Sequence, residues 1–481
     1  MFNTITDIQD LYYELYNQKA ELERTIVRLN EELSAVRKNN EALRNENKKL
    51  RKLLAANGIK PIPKNSRNSS TPPSKESIAA TAVRKTKTTR QRSGLKPGGQ
   101  VGHPGTTLTA TEDPAETEDV QPGHCPSCGR DLTDVIKVLE GSFIKLCLPA
   151  PKPYFKRVNY YKCFCPDCGE QVHAPGFKGN SGNPVIYDDS VKAMAVYLSV
   201  AQSLPLNRIQ RIMEDMYDVH ISQGTIMNWI IEASDRSEPV IQEIIKRIKQ
   251  SDIVGFDETS CYCEKKLRWV WIAQNQSYTY VFLGNSRRTE ELEKVFGESL
   301  GNMIAVTDRH SSYFSYHFAG HQICMAHLLR DFQYLSDLNP DQIWSRKFST
   351  LIREAINTRN NSPDAVIDTG PWLRRLDKLL YEDVNQLGEK FVTMQNGLLK
   401  YRDYIFPFLS HPRIPPTNND SERGFRIVKI KMNNSMCFRS SEGAEAFFRL
   451  HSVIETAKKH GKSAYEAILA LFGVEAKAVC A

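Results

Sequence analysis

The fold is decided by residues 253–308, which read IVGFDETSCYCEKKLRWVWIAQNQSYTYVFLGNSRRTEELEKVFGESLGNMIAVTD. The apolar runs in this stretch are rich in β-branched and aromatic residues and are separated by short polar turns, which is typical of hairpin strands. The runs that predict three strands are Ile253–Asp257, Leu267–Ala273 and Tyr278–Leu283. A helical pattern at Arg288–Leu300 separates them from a fourth predicted strand, Met303–Asp308. Because a helix precedes the returning strand, the pattern predicts an α/β sheet with mixed strand directions.

Two of these predicted strands end in an aspartate, at Asp257 and at Asp308. In open α/β sheets the ends of neighbouring strands border the ligand crevice, so we expect the two side chains to lie side by side. Adjacent carboxylates repel each other unless a cation lies between them, and Mg²⁺ takes oxygen ligands while leaving places for water and phosphate. A third acid would complete a site for two Mg²⁺ ions about 4 Å apart.

Glu422 is the best candidate for that third acid. It follows Pro415-Pro416 and falls in the first turn of a predicted helix that Asn419 or Asp420 caps. By spacing alone, three carboxylates among 56 acids would be interpreted as ordinary surface or capping acids.

Three basic residues follow this acid, and we expect Arg423, Arg426 and Lys429 to position phosphates. Arg426 and Lys429 come at i+4 and i+7 from Glu422, which would place them on the same helix face. A carboxylate for metal and a basic stripe for phosphate would then share one surface.

The net charge of +8 is concentrated in one segment, residues 56–105. That segment holds ten Lys or Arg and one acid, a balance of +9, so the other 431 residues carry about −1. It is rich in Pro, Ser, Thr and Gly and too poor in apolar residues to fold alone, which predicts a disordered basic linker that neutralises DNA phosphates. The alternative is a solvated linker with incidental charge. The DNA-binding residues predicted here are Lys85, Lys87, Arg90, Arg92 and Lys96.

The first 55 residues repeat hydrophobically every seven positions, which predicts a coiled coil. The repeat has Leu15, Leu22, Leu29, Val36, Leu43 and Leu50 at d positions, and Tyr12, Lys19, Ile26, Leu33, Asn40, Asn47 and Leu54 at a positions. Buried Asn at a positions, here Asn40 and Asn47, favours two parallel strands, so we expect a homodimer or a higher oligomer. The alternative is a single amphipathic helix that packs on the body of the protein.

Two Cys-x-x-Cys-Gly knuckles follow the linker, one at Cys125 and Cys128 and one at Cys165 and Cys168. Such a turn places two thiolates on one ion, and the next Gly allows a positive φ, so the four thiols predict a structural Zn²⁺ site. The strand-like runs that extend this prediction to a zinc ribbon are residues 135–141, 142–148 and 155–164. A spacer longer than usual leaves open a redox pair or free thiols. The substitute ligands are Cys163, His124 and His173.

Residues 184–247 follow with helical patterns. Pro205–Tyr217, a short turn at Asp218–His220 and a second helix capped by Ser222 resemble a helix-turn-helix. The alternative is a helical hairpin that only packs and does not read DNA.

The order of these parts closely resembles the insertion-sequence-66 type of bacterial DDE transposases. The resemblance covers nearly the whole chain, and its motifs are Lys96-Pro-Gly-Gly-Gln-Val-Gly-His103, the two CPxCG knuckles, Asp257-Glu-Thr259, Thr307-Asp308, Cys324-Met-Ala-His327, Asn418-Asn-Asp-Ser-Glu-Arg423 and the tail beyond Phe438-Arg-Ser-Ser441. It implies an RNase H-like core in which Asp257, Asp308 and Glu422 are the catalytic, Mg²⁺-binding triad. It also implies that Cys324 and His327 form the C-x-x-H string of such enzymes, for which a half-buried helix start is the plain alternative.

The resemblance implies a DNA transposase, an enzyme that cleaves the ends of its element with metal ions and transfers the 3′-OH ends into target DNA. Its implied partners are double-stranded DNA, as terminal inverted repeats and as target, and companion proteins of the same element. The departures from the family pattern are Arg309, where Gly is usual, and Lys429, Lys431 and Met432, where Arg is more frequent. Two other functions stay open: a DNA-binding regulator with an inactive core, and an RNase H-like nuclease that never joins DNA ends.

The predicted fold class is multidomain α+β. The predicted segments are a coiled coil at 1–55, a basic linker at 56–105, a zinc-ribbon DNA-binding domain at 106–180, a helix-turn-helix-like domain at 181–249, the first part of an RNase H-like catalytic core at 250–335, a helical insertion at 336–412, and the rest of the core with a helical tail at 413–481. Within the insertion, helical patterns occur at Glu354–Asn361 and Trp372–Leu399. An acidic N-terminus and no apolar run near ~18 residues predict a cytoplasmic protein without membrane contact.

Overall fold

The computed structural model describes residues 5–56, 102, 113–147, 151–174 and 185–474. The described residues fall into two compact units, the first with residues 5–56 and the second with the remainder. Among the described residues, no helix is both long and apolar enough to cross a membrane. The linker residues predicted to bind DNA, which lie outside the described part, are Lys85, Lys87, Arg90, Arg92 and Lys96.

The first unit is one continuous helix, α1 (Ile5–Ala56). Its heptad stripe is exposed in the single chain, since 63% of Leu22 and 53% of Leu29 are accessible to solvent. Charged side chains bridge successive turns, as between Lys19 and Glu23 at 3.9 Å. The heptad side chains outside the described part are Tyr12, Leu15, Asn47, Leu50 and Leu54. The coiled-coil dimer stays a prediction, and an exposed apolar stripe favours it.

In the second unit, residues 113–147 and 151–174 contain the two knuckles and one short hairpin. The hairpin pairs β1 (Lys162–Phe164) antiparallel with β2 (Gln171–His173). The prediction of strands elsewhere in this region is wrong. No strand forms in the described parts of the other runs, which are 135–141, 142–147 and 155–161. Their apolar side chains, such as Ile136 and Phe143, stay exposed. Without a packed face, nothing offsets the conformational entropy lost when a strand is ordered.

Within the described residues 185–252, four helices precede the sheet: α2 (Asp189–Val200), α3 (Leu206–Tyr217), α4 (Gln223–Arg236) and α5 (Glu238–Lys249). The pair α3 and α4 corresponds to the predicted helix-turn-helix, and its turn begins at Asp218, whose backbone is left-handed with φ of 52°. Ser222 caps α4 as predicted, because its Oγ accepts a hydrogen bond from the amide of Thr225 at 3.0 Å. Ile209 and Ile226 anchor the pair in the core, and DNA reading by these helices stays a prediction.

A five-stranded mixed sheet follows. Its strands are β3 (Ile253–Cys263), β4 (Lys266–Gln274), β5 (Thr279–Gly284), β6 (Ser299–Thr307) and β7 (His317–Ile323), in the spatial order β5-β4-β3-β6-β7. Pairing is antiparallel between β3 and β4 and between β4 and β5, and it is parallel between β3 and β6 and between β6 and β7. The predicted mixed sheet is therefore confirmed.

The sheet differs from the prediction at three places. β3 continues past Asp257, because its antiparallel pairing with β4 extends to Cys263. The predicted helix is shorter, α6 (Glu290–Phe296), because Gly297 adopts φ of 86° and β6 starts at Ser299. β7 is absent from the sequence prediction because Gly320 and several polar residues interrupt its apolar pattern.

The helix α7 (Ser311–Ser315) leads into β7, and α8 (Met325–Leu338) follows that strand. The inserted helices are α9 (Trp344–Asn361), α10 (Gly370–Leu380), α11 (Glu389–Lys400) and α12 (Pro407–Ser410), with 3₁₀ turns at Asn385–Leu387 and Arg402–Tyr404. The single helix predicted over Trp372–Leu399 is therefore two helices, because Gly388 adopts φ of 107° between them. The last elements are α13 (Asn419–Gly424), α14 (Arg426–Ser435), α15 (Ser441–Lys459) and α16 (Ala464–Leu471).

Both faces of the sheet are covered by apolar clusters. One cluster joins the sheet to the helical region and to α15, with Ile272 and Phe448 fully buried. The opposite face packs around Phe256, Trp271 and Phe296. A third cluster fills the helical insertion and reaches the sheet through β6 and β7. The second unit is thus an α+β body in which the sheet supports the helices on either side.

Candidate active site

Asp257 and Asp308 lie side by side at one end of the parallel part of the sheet. The parallel register pairs Gly255 with Val306, and each aspartate stands two residues further along its chain. β6 ends at Thr307, so Asp308 is the first residue beyond that strand. Both aspartates are half-buried. The structure therefore brings together the two carboxylates that the strand pattern singles out.

The surroundings of the two aspartates disfavour two negative charges. Burial, followed by the charges of Glu258 and Asp308, raises the pKa of Asp257 well above its usual range. Burial and the charge of Glu258 raise the pKa of Asp308 to about 6, although an amide hydrogen bond from His310 at 2.8 Å opposes that rise. A cation shared between the carboxylates would relieve this repulsion.

The short helix α13 is docked directly on β3. Asn418, which precedes α13, donates from Nδ2 to the carbonyl of Phe256 at 2.6 Å and accepts a hydrogen bond from Ser421 at 2.6 Å. Gly255 permits this approach, since a Cβ there would stand 2.5 Å from Asn418 Oδ1 and 2.8 Å from Ser421 Oγ. Side chains alternate along a strand, so Gly255 and Asp257 share one face. The helix that carries the third acid therefore covers the sheet face that carries Asp257.

Glu422 contacts two basic side chains of α8. Arg330 donates from Nη2 to Glu422 Oε1, and His327 Nε2 lies 3.7 Å from the same oxygen. Burial, with the positive charge of Arg330, lowers the pKa of His327 to about 4, so His327 is neutral near pH 7. After burial and the nearer acids, the charge of Glu422 also raises the pKa of Asp257. The third acid is therefore electrostatically coupled to the aspartates, and Arg330 supplies its countercharge.

The C-x-x-H string braces the segment that leads into α13. Cys324 is fully buried, and its Sγ accepts a hydrogen bond from the amide of Asn418 at 3.2 Å. The amide of Met325 donates to the carbonyl of Pro416 at 2.9 Å. His327, one turn further along α8, contacts Glu422. The string thus holds the Glu422 segment against α8 and is more than a half-buried helix start.

A buried acid that the sequence patterns do not single out, Glu258, lies next to the two aspartates. Its side chain is only 1% exposed, and it accepts hydrogen bonds from Arg287 Nε at 2.7 Å and from the hydroxyl of Tyr313. The Arg287 guanidinium also stacks on the ring of Trp269, 4.7 Å from its centroid. Glu258 lies within the motif Asp257-Glu-Thr259, which gives it no separate role, whereas Arg287 and Tyr313 come from separate elements and show no local pattern.

Of the three basic residues after Glu422, Arg423 shares its helix, whereas Arg426 and Lys429 do not. α13 ends at Gly424 and α14 begins at Arg426, so the expectation of a continuous i+4 and i+7 stripe is wrong. Glycine weakens a helix interior, and Gly424 is needed where the backbone packs closely on β4. Arg423, next to Glu422 in the chain, and Arg426 are exposed, and Lys429 is half-buried.

Lys431, one of the departures from the family pattern, is a structural residue. It is buried, it donates from Nζ to the carbonyl of Leu204 at 3.2 Å, and it lies 5.4 Å from the centroid of the Phe447 ring. Burial lowers the pKa of Lys431 to about 8. The lysine therefore ties α14 to the helical region and does not face the aspartates.

The residues at the site fit Mg²⁺ in chemistry. Asp257 and Asp308 offer the oxygen ligands that this ion prefers, and the repulsion between them favours a cation. Across the part of the chain that the structure describes, no three His, Cys, Asp or Glu side chains are grouped closely enough to hold a metal ion. The third candidate ligand, Glu422, is paired with Arg330 instead.

Each predicted zinc knuckle forms a tight turn. In the first, Gly129 has φ of 75° and donates its amide to the carbonyl of Cys125 at 2.9 Å, and the second repeats this bond at Cys165. The amides of Cys128 and Ser127 lower the pKa of the Cys125 thiol, which favours the thiolate that zinc binds. Within the described ranges the two knuckles do not form one four-ligand group, so the zinc site stays a prediction.

Comparison with known protein families gives a match for the second unit. The family model described as transposase IS66 family matches residues 184–446, more than half of the chain. The match begins just before α2 and ends within α15, so it includes the sheet, the insertion and all three candidate acids. A search of curated proteins gives no match.

Proposed function

This chain belongs to the transposase IS66 family, and on that premise we propose that it is the DNA transposase of a bacterial insertion sequence. In the proposed reaction it cleaves DNA at the ends of the element and transfers the freed 3′-OH ends into target DNA. The catalytic residues of the proposal are Asp257, Asp308 and Glu422, in a core of the RNase H-like type.

The observation that carries the proposal is the meeting of Asp257 and Asp308 at one end of the parallel part of the sheet, beside the helix that bears Glu422. The strand order, with three antiparallel strands continued by two parallel ones, supports an RNase H-like core. The raised pKa values of both aspartates support a cation site, because a bound cation would stabilise the ionised carboxylates.

In this proposal Asp257, Asp308 and Glu422 hold two Mg²⁺ ions, which supply activation of the attacking oxygen and stabilisation of the leaving oxygen. The sheet fixes the two aspartates, and Asn418 fixes the helix that carries Glu422. Arg423, exposed next to that acid, binds a DNA phosphate. Water attacks the phosphodiester at the element end in line and displaces the 3′-oxygen. The freed 3′-OH then attacks a phosphodiester of the target DNA in line and displaces the 3′-oxygen of that strand, so no covalent bond to the protein forms.

Parts outside the core have proposed roles in assembly and DNA binding. The exposed heptad stripe of α1 pairs two chains. The four knuckle thiols of Cys125, Cys128, Cys165 and Cys168 bind one structural Zn²⁺. The basic linker, the knuckle region and the pair α3 and α4 bind the terminal inverted repeats, and companion proteins of the element assist.

The test is incubation of labelled element ends with the full-length protein, a plasmid target and Mg²⁺. Products in which a labelled end is joined to the plasmid support the proposal. Nicked ends that are never joined would instead identify a nuclease of the same fold. Bound but intact ends would identify a DNA-binding regulator with an inactive core.

A further inference from the structure

Arg330 is paired with Glu422, the carboxylate that the proposed function assigns to metal binding. Its Nη2 donates to Glu422 Oε1, and both side chains are partly shielded, with 22% of Arg330 and 36% of Glu422 exposed. The pair joins α8 to α13, two helices that are far apart in the chain. A positive charge therefore already sits where a divalent cation would have to bind.

Contacts other than the ion pair also hold α13 in place. Asn418 already fixes that helix through the carbonyl of Phe256 and through Cys324 Sγ. Half-exposed ion pairs contribute little to stability, because solvent screens them and long side chains lose freedom on pairing. Stability therefore does not account for the contact between Arg330 and Glu422, and a role in the function of the site does.

We propose that Arg330 is a positioning residue that acts as a built-in counter-cation for Glu422, competes with the divalent metal ion, and releases the carboxylate when a DNA phosphate takes its guanidinium. The inference rests on the proposed function, since it takes Glu422 as a metal ligand. A guanidinium binds phosphate through two parallel hydrogen bonds, so DNA is a strong competitor for Arg330. Completion of the metal site is then linked to DNA binding, and the linkage is reciprocal.

Metal binding to the full-length protein tests the competition without any reaction. Mn²⁺ serves as the probe, and electron paramagnetic resonance counts the free ion in a titration. Without DNA, Arg330→Gln binds Mn²⁺ roughly twofold to fivefold more tightly than wild type, the range expected from removing one half-exposed ion pair. Arg330→Lys keeps the charge at Glu422 and stays close to wild type.

A matched control removes an arginine from an equivalent pair elsewhere. Arg402 pairs with Asp377, with 31% and 32% of the side chains exposed, inside the helical insertion. Arg402→Gln therefore loses one charge, the pair with Asp377 of similar exposure and a pair with the exposed Asp403, and its affinity for Mn²⁺ stays at the wild-type value. Thermal unfolding of each variant verifies that the fold is retained.

The DNA link is tested by repeating the titration with a synthetic duplex that carries the element's terminal repeat. The duplex tightens Mn²⁺ binding by wild type. It leaves the Mn²⁺ affinity of Arg330→Gln nearly unchanged, because Glu422 is already released from Arg330 in that variant. Equal tightening of both proteins, or Arg330→Gln binding Mn²⁺ no more tightly than wild type, overturns the inference.

Failure of the proposed function gives a different result. If Asp257→Asn and Glu422→Gln bind Mn²⁺ as wild type does, the acids are not ligands, and the proposed function and this inference are both overturned. If those two variants lose Mn²⁺ while Arg330→Gln matches wild type, only the role of Arg330 is overturned.

Discussion

Replacing Gly255 by alanine tests whether the close docking of α13 on the sheet sets the position of Glu422. The backbone of Gly255 has no positive φ, so the substitution acts only through the added Cβ. That Cβ would stand 2.5 Å from Asn418 Oδ1 and 2.8 Å from Ser421 Oγ, whereas real Cβ contacts essentially never fall under 3.0 Å. Asn418 must therefore retreat by roughly 0.5 Å, and α13 moves with it.

Two effects of different size are expected from Gly255→Ala. Overpacking of this kind costs roughly 1–3 kcal/mol of stability, which a chain of this size tolerates. Misplacement of a catalytic group by about 1 Å costs roughly 100-fold in rate, so a shift of half that size predicts a loss of roughly tenfold in end cleavage. The rate of cleavage should therefore fall much more than the folded fraction.

The assay is single-turnover cleavage of a labelled element end, with urea unfolding measured on the same preparation. Gly320→Ala is the matched control, because Gly320 also lies in the sheet, on β7, and a Cβ there meets Ile304 Cγ1 at an ordinary 3.7 Å. Gly320→Ala should cleave at close to the wild-type rate. If Gly255→Ala cleaves as fast as Gly320→Ala, the docking of α13 does not control the site.

Three further predictions concern the fold and the assembly. Burial lowers the pKa of His321 to about 4, below its unfolded value of about 6.5, so the unfolded state takes up the proton first as pH falls. Between about pH 7 and pH 5 the free energy of unfolding of wild type, measured in urea, should fall by about 2 kcal/mol more than that of His321→Phe. Glu258→Ala removes the buried ionic partner of Arg287 and should lower the free energy of unfolding by roughly 3 kcal/mol. Arg413→Ala breaks an exposed pair and should lower it by about 0.5 kcal/mol or less in the same experiment. Leu22→Asn combined with Leu29→Asn should halve the mass measured by light scattering, and an unchanged mass would exclude pairing through α1.

The sequence predicts those parts of the fold that depend on local pattern. The hairpin strands β3, β4 and β5 follow from apolar runs rich in β-branched and aromatic residues, and the cap at Ser222 follows from side-chain chemistry within a few residues. The extent of β3 beyond Asp257 does not, because it depends on pairing with β4. The runs at 135–141 and 142–147 fail for the same reason: a strand forms only where a partner and a packed face exist.

The candidate site shows the same division. Asp257 and Asp308 stand at places in the strands that the pattern already marks. The contacts around them come from residues far apart in the chain, as when Arg330 meets Glu422 and Tyr313 meets Glu258. No local pattern predicts such contacts, because they form only when separate helices pack against the sheet.

Strand transfer by Asp257→Asn tests whether Asp257 takes part in the joining of DNA ends. Asn has the same size as Asp and lacks its charge, so end binding should persist while cleaved and joined products vanish. The control is Asp252→Asn, an exposed acid just before β3 that pairs with Arg413 at 3.0 Å, and it should join ends as wild type does. Joined products from Asp257→Asn at the wild-type level would show that the Asp257 carboxylate takes no part in the reaction.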